Sequence, residues 1–469
     1  MREQAFVSTN IDGYFNASNR VPRQIFWFAN ILVVAGLLLD LLTPFLIWKG
    51  FLPSFTRWIS SAIIMIVIAV LFLQMIVTSR IPAAILVIFA LSTIGITVAQ
   101  FNNQQILATL WGWWLMFKYP LVGIYIYVQP SWTERTSKYI VKACIALLTF
   151  EVCFQIGQYL MGERPGDDLV GTFGRHETQP LLSFTVFVLC LALGQWIARR
   201  RWRNFVWVMI LCVVSGILSE TKFFLPSSFL LIALSILVSF IQNGQLIRSV
   251  PNILLVGVSL FLFIFGYDAL VPGASRTPIE KYISDRDSFD SYSNMEYRME
   301  GSSTYYMGRT RAVLYAWDSI VDNPVTLLFG MGIGARGESR SLGINGVAFN
   351  GVADKYTRVS SLVVLMQEMG LLGLVTTCVF IVWVVYFLLG AIKKNPQSPL
   401  SELRYALVLF SFLWPLWMYY ATVWNQEVVM TLYWALLGYL CAKSNHKEDV
   451  VGPLLVSNHI ITDKNKFIG

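Results

Sequence analysis

The chain has 469 residues, 56% of them hydrophobic and only 13% charged, and its mean hydropathy is +0.61. A soluble chain of this length carries about a quarter charged residues and divides into domains with polar faces, so this composition excludes an ordinary soluble enzyme. The net charge of +8 bears first on orientation in a membrane and only then on anionic partners.

Apolar stretches of roughly 18 to 24 residues, the length a helix needs to cross about 30 Å of hydrocarbon, recur along the chain. They fall at 26–48, 59–78, 81–100, 106–128, 139–160, 181–197, 205–218, 223–241, 253–270, 371–391, 405–420 and 428–441. The expectation is an all-α integral membrane protein of about twelve transmembrane helices. Helices one to nine occupy 26–270 and helices ten to twelve occupy 371–442, between tails at 1–25 and 443–469. Aromatics make up 14% of the chain, and Trp111, Trp113 and Trp114 are expected to form part of an interfacial belt.

Lys and Arg set the expected orientation. With the N-terminus in the cytoplasm, nineteen basic residues fall on inside segments against five in short outside loops, and the run at 199–203 is the firmest anchor. Both termini are then cytoplasmic. The first 25 residues are polar and the first span lacks a small-residue cleavage site, so no cleavable signal is expected. The six cysteines lie in or at the ends of apolar spans with no metal-ligand spacing, which predicts neither a disulfide framework nor a metal site.

Charges inside spans are functional suspects by default. Lys118, Asp40 and Glu151 are the three, and Lys118 is expected to pair with Glu151 or Asp40.

The segment 271–370 is far longer than the usual link between packed helices and is expected to be a folded extracytoplasmic loop. It holds ten of the 35 basic residues. Its first part mixes tyrosines with Arg and acids, a combination suited equally to sugar stacking or to a solvated cap. Residues 311–321 read as an amphipathic helix with Val313, Leu314, Ala316, Trp317, Ile320 and Val321 on one side, stopped by Asn323-Pro324. The following Phe-Gly-Met-Gly-Ile-Gly run, 329–334, suits either tight turns or backbone amides brought close to a phosphate. It matches neither the Walker A nor the dinucleotide fingerprint.

An Arg, Trp, Asn-Pro, Phe-Gly-x-Gly-x-Gly order in a long outer loop, followed by Glu-Met-Gly-Leu-Leu-Gly-Leu at 368–374, resembles the O-antigen ligase and Wzy-type polymerase superfamily. Gly-Thr-Phe-Gly-Arg-His at 171–176 resembles that superfamily's Gly-Thr-Phe-Gly-Asn-Pro signature. The resemblance covers about 163–380 and implies a GT-C-like membrane fold. It also implies metal-independent, cofactor-free glycosyl transfer from an undecaprenyl-diphosphate-linked glycan at the outer face of a bacterial inner membrane. A chain-length regulator is an implied partner, and no nucleic acid is involved.

Such chemistry asks for a base to accept the acceptor hydroxyl proton and for cations to stabilise the departing diphosphate. Ligases of the superfamily carry a His-Asn pair about eleven residues before Gly-Leu-Leu-Gly, where this chain has Arg358, Val359 and Ser360. That departure favours a polymerase of lipid-linked repeat units over an O-antigen ligase acting on lipid A core. Base candidates are His176, Asp354 and Glu368. Cation candidates are Arg175, Lys222, Arg309, Arg311 and Arg358; Lys222 stands where the family often has Arg, a point charge replacing a bidentate fork. A twelve-span transporter is the alternative from another class, although the longest loop is not the central cytoplasmic link such a protein has.

Overall fold

The computed structural model describes residues 23–79, 81–129, 132–166, 169–174, 178–219, 223–243, 257–258, 261, 290, 294, 296–298, 305–339, 344–349 and 360–445. The structure is helical. Five helices precede the Gly-Thr-Phe-Gly turn: α1 (Arg23–Trp48), α2 (Arg57–Thr78), α3 (Ala83–Phe101), α4 (Ile106–Val128) and α5 (Glu134–Leu160). After it come α6 (Thr178–Arg199), α7 (Trp202–Leu218) and α8 (Phe224–Asn243). The later part holds α9 (Arg309–Val321), α10 (Pro324–Phe329), α11 (Ser361–Lys394), α12 (Ser401–Tyr420) and α13 (Glu427–Asn445). Among the described residues, strands are confined to two short antiparallel ladders, Glu296–Arg298 with Tyr305–Met307 and Glu338–Ser339 with Ile344–Asn345.

Among the described residues six helices are long and apolar enough to cross a membrane: α1, α2, α3, α5, α6 and α11. Helices α4, α12 and α13 have comparable lengths of 23, 20 and 19 residues, but they carry Lys118, Arg404 or Glu427 and many Trp and Tyr. The predicted ninth span, 253–270, lies mostly outside the described residues.

Helix α6 is apolar on every side, and every side chain from Leu181 to Gln195 is buried, so it forms the centre of the bundle. Helix α12 lies against it. A Cβ on Gly194 would stand 2.2 Å from the Glu402 carbonyl oxygen, so the two backbones touch only because that position is glycine. Phe187 and Phe410 meet edge to face at 5.0 Å in the same interface. Helices α4 and α13 repeat the device: a Cβ on Gly438 would stand 2.0 Å from the Gly123 carbonyl oxygen. In lipid, where apolar burial gives no net drive for helices to associate, such close backbone packing supplies much of the attraction. Helices α3 and α11 are the flanks, with most of their apolar side chains facing away from the bundle.

One expectation changes and one gains detail. Residues 361–369 form a helix ahead of the predicted tenth span; the non-helical backbone of Gly370 (φ 58°, ψ −149°) breaks it, and the helical stretch that follows starts at 371, where the span is expected. Helix α9 buries Ala312, Ala316 and Ile320, one residue every turn, while Leu314, Trp317 and Val321 stay exposed. The small alanines bring α9 close to α11, and the larger apolar groups are left on the far side. Of the tryptophans of α4, Trp114 is 8% exposed, while partly buried Trp111 meets Trp58 at 5.0 Å and partly buried Trp113 donates its indole N–H to Ser92 Oγ at 2.7 Å.

Replacing Gly438 by Val is expected to cost about 1–3 kcal/mol through overpacking. Gly157→Ala, a helical site with nothing near its absent Cβ, is expected to leave stability unchanged or raise it by up to about 1 kcal/mol. Melting curves of the solubilised protein read both.

Candidate functional site

One end of the bundle carries the 169–174 turn, α9, α10, the glycine-rich loop and the α12–α13 connection; here it is termed the loop-bearing end. The turn is built from α5. Glu151, Gln155 and Gln158, spaced four and three residues apart, share one helix face. The Glu151 carboxylate accepts the Thr172 backbone N–H at 2.7 Å and the Thr172 hydroxyl. Gln155 Nε2 donates to the Leu169 carbonyl at 2.7 Å, and Gln158 Oε1 accepts the Gly171 N–H at 3.1 Å. Gly171 (φ 65°) is obligatory, since a Cβ there would stand 2.2 Å from Glu151 Oε2. Gly174 (φ 94°) then rests against Pro44 of α1. Fully buried Glu151 is therefore the strut of the Gly-Thr-Phe-Gly signature. Arg175 and His176 follow it directly and lie outside the described residues.

The expected partner of Lys118 is accordingly corrected. Lys118, 1% exposed, donates to Glu427 at 2.9 Å, and its ammonium lies 4.7 Å from the Tyr119 ring centre. Asp40 sits in the same cluster facing Ser60 and Glu427, so of the two expected partners it is the neighbour, and Glu151 is not. Glu427 opens α13, where the sequence reads as a link between spans; only the fold brings it to Lys118.

The glycine-rich run carries three residues at positive φ: Gly330 (71°), Gly332 (99°) and Gly334 (84°). Each is in contact with another backbone, Gly330 with Glu368, Gly332 with Ala99 and Gly334 with Ala108. Fully buried Ile333 inserts between α3 and α4 at Gly95 and Gly112. The amides are already used within the chain. Met331 N–H donates to the Gln367 carbonyl at 2.7 Å, Gly332 N–H to the Glu368 carbonyl at 3.1 Å, and Ile333 N–H to the Gly95 carbonyl at 3.2 Å. The Arg336 and Gly334 amides turn to the Glu368 carboxylate, the former at 3.1 Å. Of the two uses open to this loop, the structure shows the tight turn, with the nest of amides filled by the chain's own carboxylate.

Glu368, 3% exposed, is thus a held carboxyl group with the Arg336 guanidinium beside it. Arg336 is itself only 8% exposed and was not singled out in the sequence, where it is one basic residue among ten in the loop. The alternation of three glycines before it is the one local signal that its backbone turns inward.

Arg309 opens α9. Its Nε donates to the Tyr420 carbonyl at 2.9 Å and its guanidinium lies 4.0 Å from the Tyr420 ring centre. Tyr420 in turn stacks on Phe223 at 3.7 Å, and Phe223 meets Trp417 at 5.1 Å. The neighbouring Thr310 and Tyr419 hydroxyls are 2.6 Å apart. Cation–π contact of this kind adds to the hydrogen bond in fixing where the guanidinium sits. Arg311 is exposed on the same helix. Helix α9 runs along the first turns of α11, where Gln367 Nε2 donates to Ser319 Oγ at 2.9 Å. Ser361 N–H donates to the Ala421 carbonyl at 2.9 Å, so the Arg309 cage lies near the start of α11. Glu368 lies about 10 Å further along it at 1.5 Å per residue. Lys222, Asp354 and Arg358 lie outside the described residues.

Glu151→Leu is expected to cost about 1–3 kcal/mol, because it leaves the buried Thr172 donors unpaired. Thr172→Val in that background is expected to recover part of the loss, a coupling that a double-mutant cycle on melting midpoints measures. No protein-family model, curated protein or solved structure matches this chain.

Proposed function

We propose that this chain is a membrane glycosyltransferase that polymerises polyprenyl-diphosphate-linked oligosaccharide repeat units, with twelve spans, cytoplasmic termini and the loop-bearing end facing outward from a bacterial inner membrane. The observation that carries the reading is a groove of about 1200 Å³ between α3 and α11. It runs from Ile81 and Pro82 at one end to Leu365, Met369 and Trp424 at the other, over a floor that includes Gly123 and Gly438. Along α11 the lining includes Leu365 and Met369 before the Gly370 kink and then runs from Gly373 to Phe387, about 21 Å at 1.5 Å per residue, most of the ~30 Å of a hydrocarbon core. Its walls are apolar and aromatic, with Thr376 and Thr377 among the few polar exceptions. Leu365 and Met369 at its loop-bearing end occupy the same two helical turns as Glu368. Such a shape suits a long unbranched hydrocarbon tail whose polar head rests among the groups of the loop-bearing end.

In this reading an acceptor sugar hydroxyl attacks the anomeric carbon of the donor glycan. The bond from that carbon to the diphosphate oxygen breaks, and polyprenyl diphosphate leaves. The hydroxyl proton goes to one of His176, Asp354 or Glu368, and the leaving diphosphate takes the charge of Arg309, Arg311, Arg175, Lys222 and Arg358. Arg309 is the best supported of the cations, because its contacts with Tyr420 fix its position at the loop-bearing end.

In a deletion strain, Arg309→Ala, Lys222→Ala and Arg358→Ala are each expected to leave only single-repeat glycan on lipid, with the protein still in the membrane. Normal long-chain polymer in all three contradicts the assignment. Thr377→Trp, which narrows the groove, is expected to raise the apparent KM for lipid-linked donor more than it lowers kcat.

A further inference from the structure

At the opposite end of the bundle a pocket of about 180 Å³ lies between α5, α7 and α12. Its walls include Lys138 and Lys142 from α5, Gln195 from α6, and Arg201 and Asn204 from the start of α7. Glu402 completes the polar lining, and Val141, Ile145 and Leu403 form the apolar side. The pocket collects positive potential from two sources.

The first is side chains. Glu402 is taken up by Arg199 at 3.4 Å, and Lys138 by Glu134 at 2.5 Å. Lys142 and Arg201 have no ion-pair partner among the described residues. The second is backbone. The pocket lies at the N-terminal ends of α7 and α12; the Trp202 and Ser401 N–H groups are taken by the Arg200 and Ser398 carbonyls, and neither N-cap side chain caps its helix, so each end contributes the positive end of its dipole. The tight α6–α7 link that sets Arg201 over the pocket holds Arg200 at φ 56°, a conformation a non-glycine residue adopts only when its surroundings impose it.

One buried group points to an occupant. Gln195 is 5% exposed and accepts from Asn204 Nδ2 at 2.9 Å through Oε1, while its Nε2 meets no acceptor among the described residues and borders the pocket. The site therefore offers an amide donor, two unpaired cations and two helix N-termini to an acceptor-rich anion, with an apolar wall beside them.

We propose that this pocket binds the phosphodiester headgroup of an anionic membrane phospholipid. Phosphate matches the donors and the charge. The apolar wall and the position at the ends of membrane-length helices favour a headgroup attached to an acyl chain over a free ion. The bound lipid bridges α5, α7 and α12, joining α12, which packs on the central α6, to its neighbours.

The protein is reconstituted in nanodiscs of phosphatidylcholine with increasing phosphatidylglycerol at fixed total lipid. Melting temperature is followed, and retained lipid is identified by native mass spectrometry. Wild type is expected to melt higher as phosphatidylglycerol increases and to retain it in preference to phosphatidylcholine. Lys142→Ala/Arg201→Ala is expected to lose about tenfold or more of that preference, the worth of one charge-assisted hydrogen bond. Lys393→Ala/Lys394→Ala removes two exposed cations outside the pocket and is expected to keep it. Equal response to both lipids, or equal loss in the control pair, overturns the proposal. Stabilisation by inorganic phosphate in pure phosphatidylcholine that matches phosphatidylglycerol overturns it too, in favour of a free-anion site. Should the pocket double variant fail to reach the membrane, Gln195→Leu with the same readouts serves in its place.

Discussion

The buried carboxylate of Glu368 and the backbone amides that meet it organise the loop-bearing end. Inside an apolar bundle no water satisfies a peptide group, so every irregular stretch of backbone must find its partners within the chain. The 330–336 loop does so by giving its N–H groups to Gln367, Glu368 and Gly95, and that requirement explains its three glycines at positive φ. Once the loop is fixed, Ile333 locks α3 to α4 and the kink at Gly370 sets where α11 turns toward the groove.

Glu151 obeys the same rule on the other side of the bundle. Its carboxylate is spent on Thr172, Gly171 is the residue that permits the approach, and Pro44 receives Gly174. The two sequence signatures at 171–174 and 329–334 are thus alike physically. Each is a loop forced against helices, with glycine where a side chain has no room and a buried carboxylate of a neighbouring helix as acceptor. Catalytic use of Glu368 would have to work from within that hydrogen-bonded setting.

Much of this was legible beforehand for a simple reason: helix length and apolarity are set by the bilayer and are local in sequence. Gly370 reads as a boundary in the sequence and is one, since its backbone is non-helical; the helical stretch at 361–369 ahead of it is too short and too mixed to read as a span. The partner of Trp113 could not be read from its neighbourhood, because an indole satisfies its N–H equally at an interface or, as here, on a serine of the adjacent helix. Long-range partners were the least visible. Lys118 and Glu427 are 309 residues apart, and nothing in either neighbourhood names the other. Arg336 and Tyr420 gain their roles only from the packing of a loop and a helix end against distant elements.

The central claim, that the α3–α11 groove holds the hydrocarbon tail of a diphosphate-linked glycan donor, is tested most directly by photo-crosslinking. A polyprenyl-diphosphate oligosaccharide with a photoreactive group in its tail is added to native membranes, and the adducts are mapped by peptide mass spectrometry. The account predicts adducts along the 365–387 face of α11 and on Ile124 and Tyr127 of α4, competed by unlabelled donor and not by bulk phospholipid. Adducts confined to other helices, or competed equally well by phospholipid, contradict it.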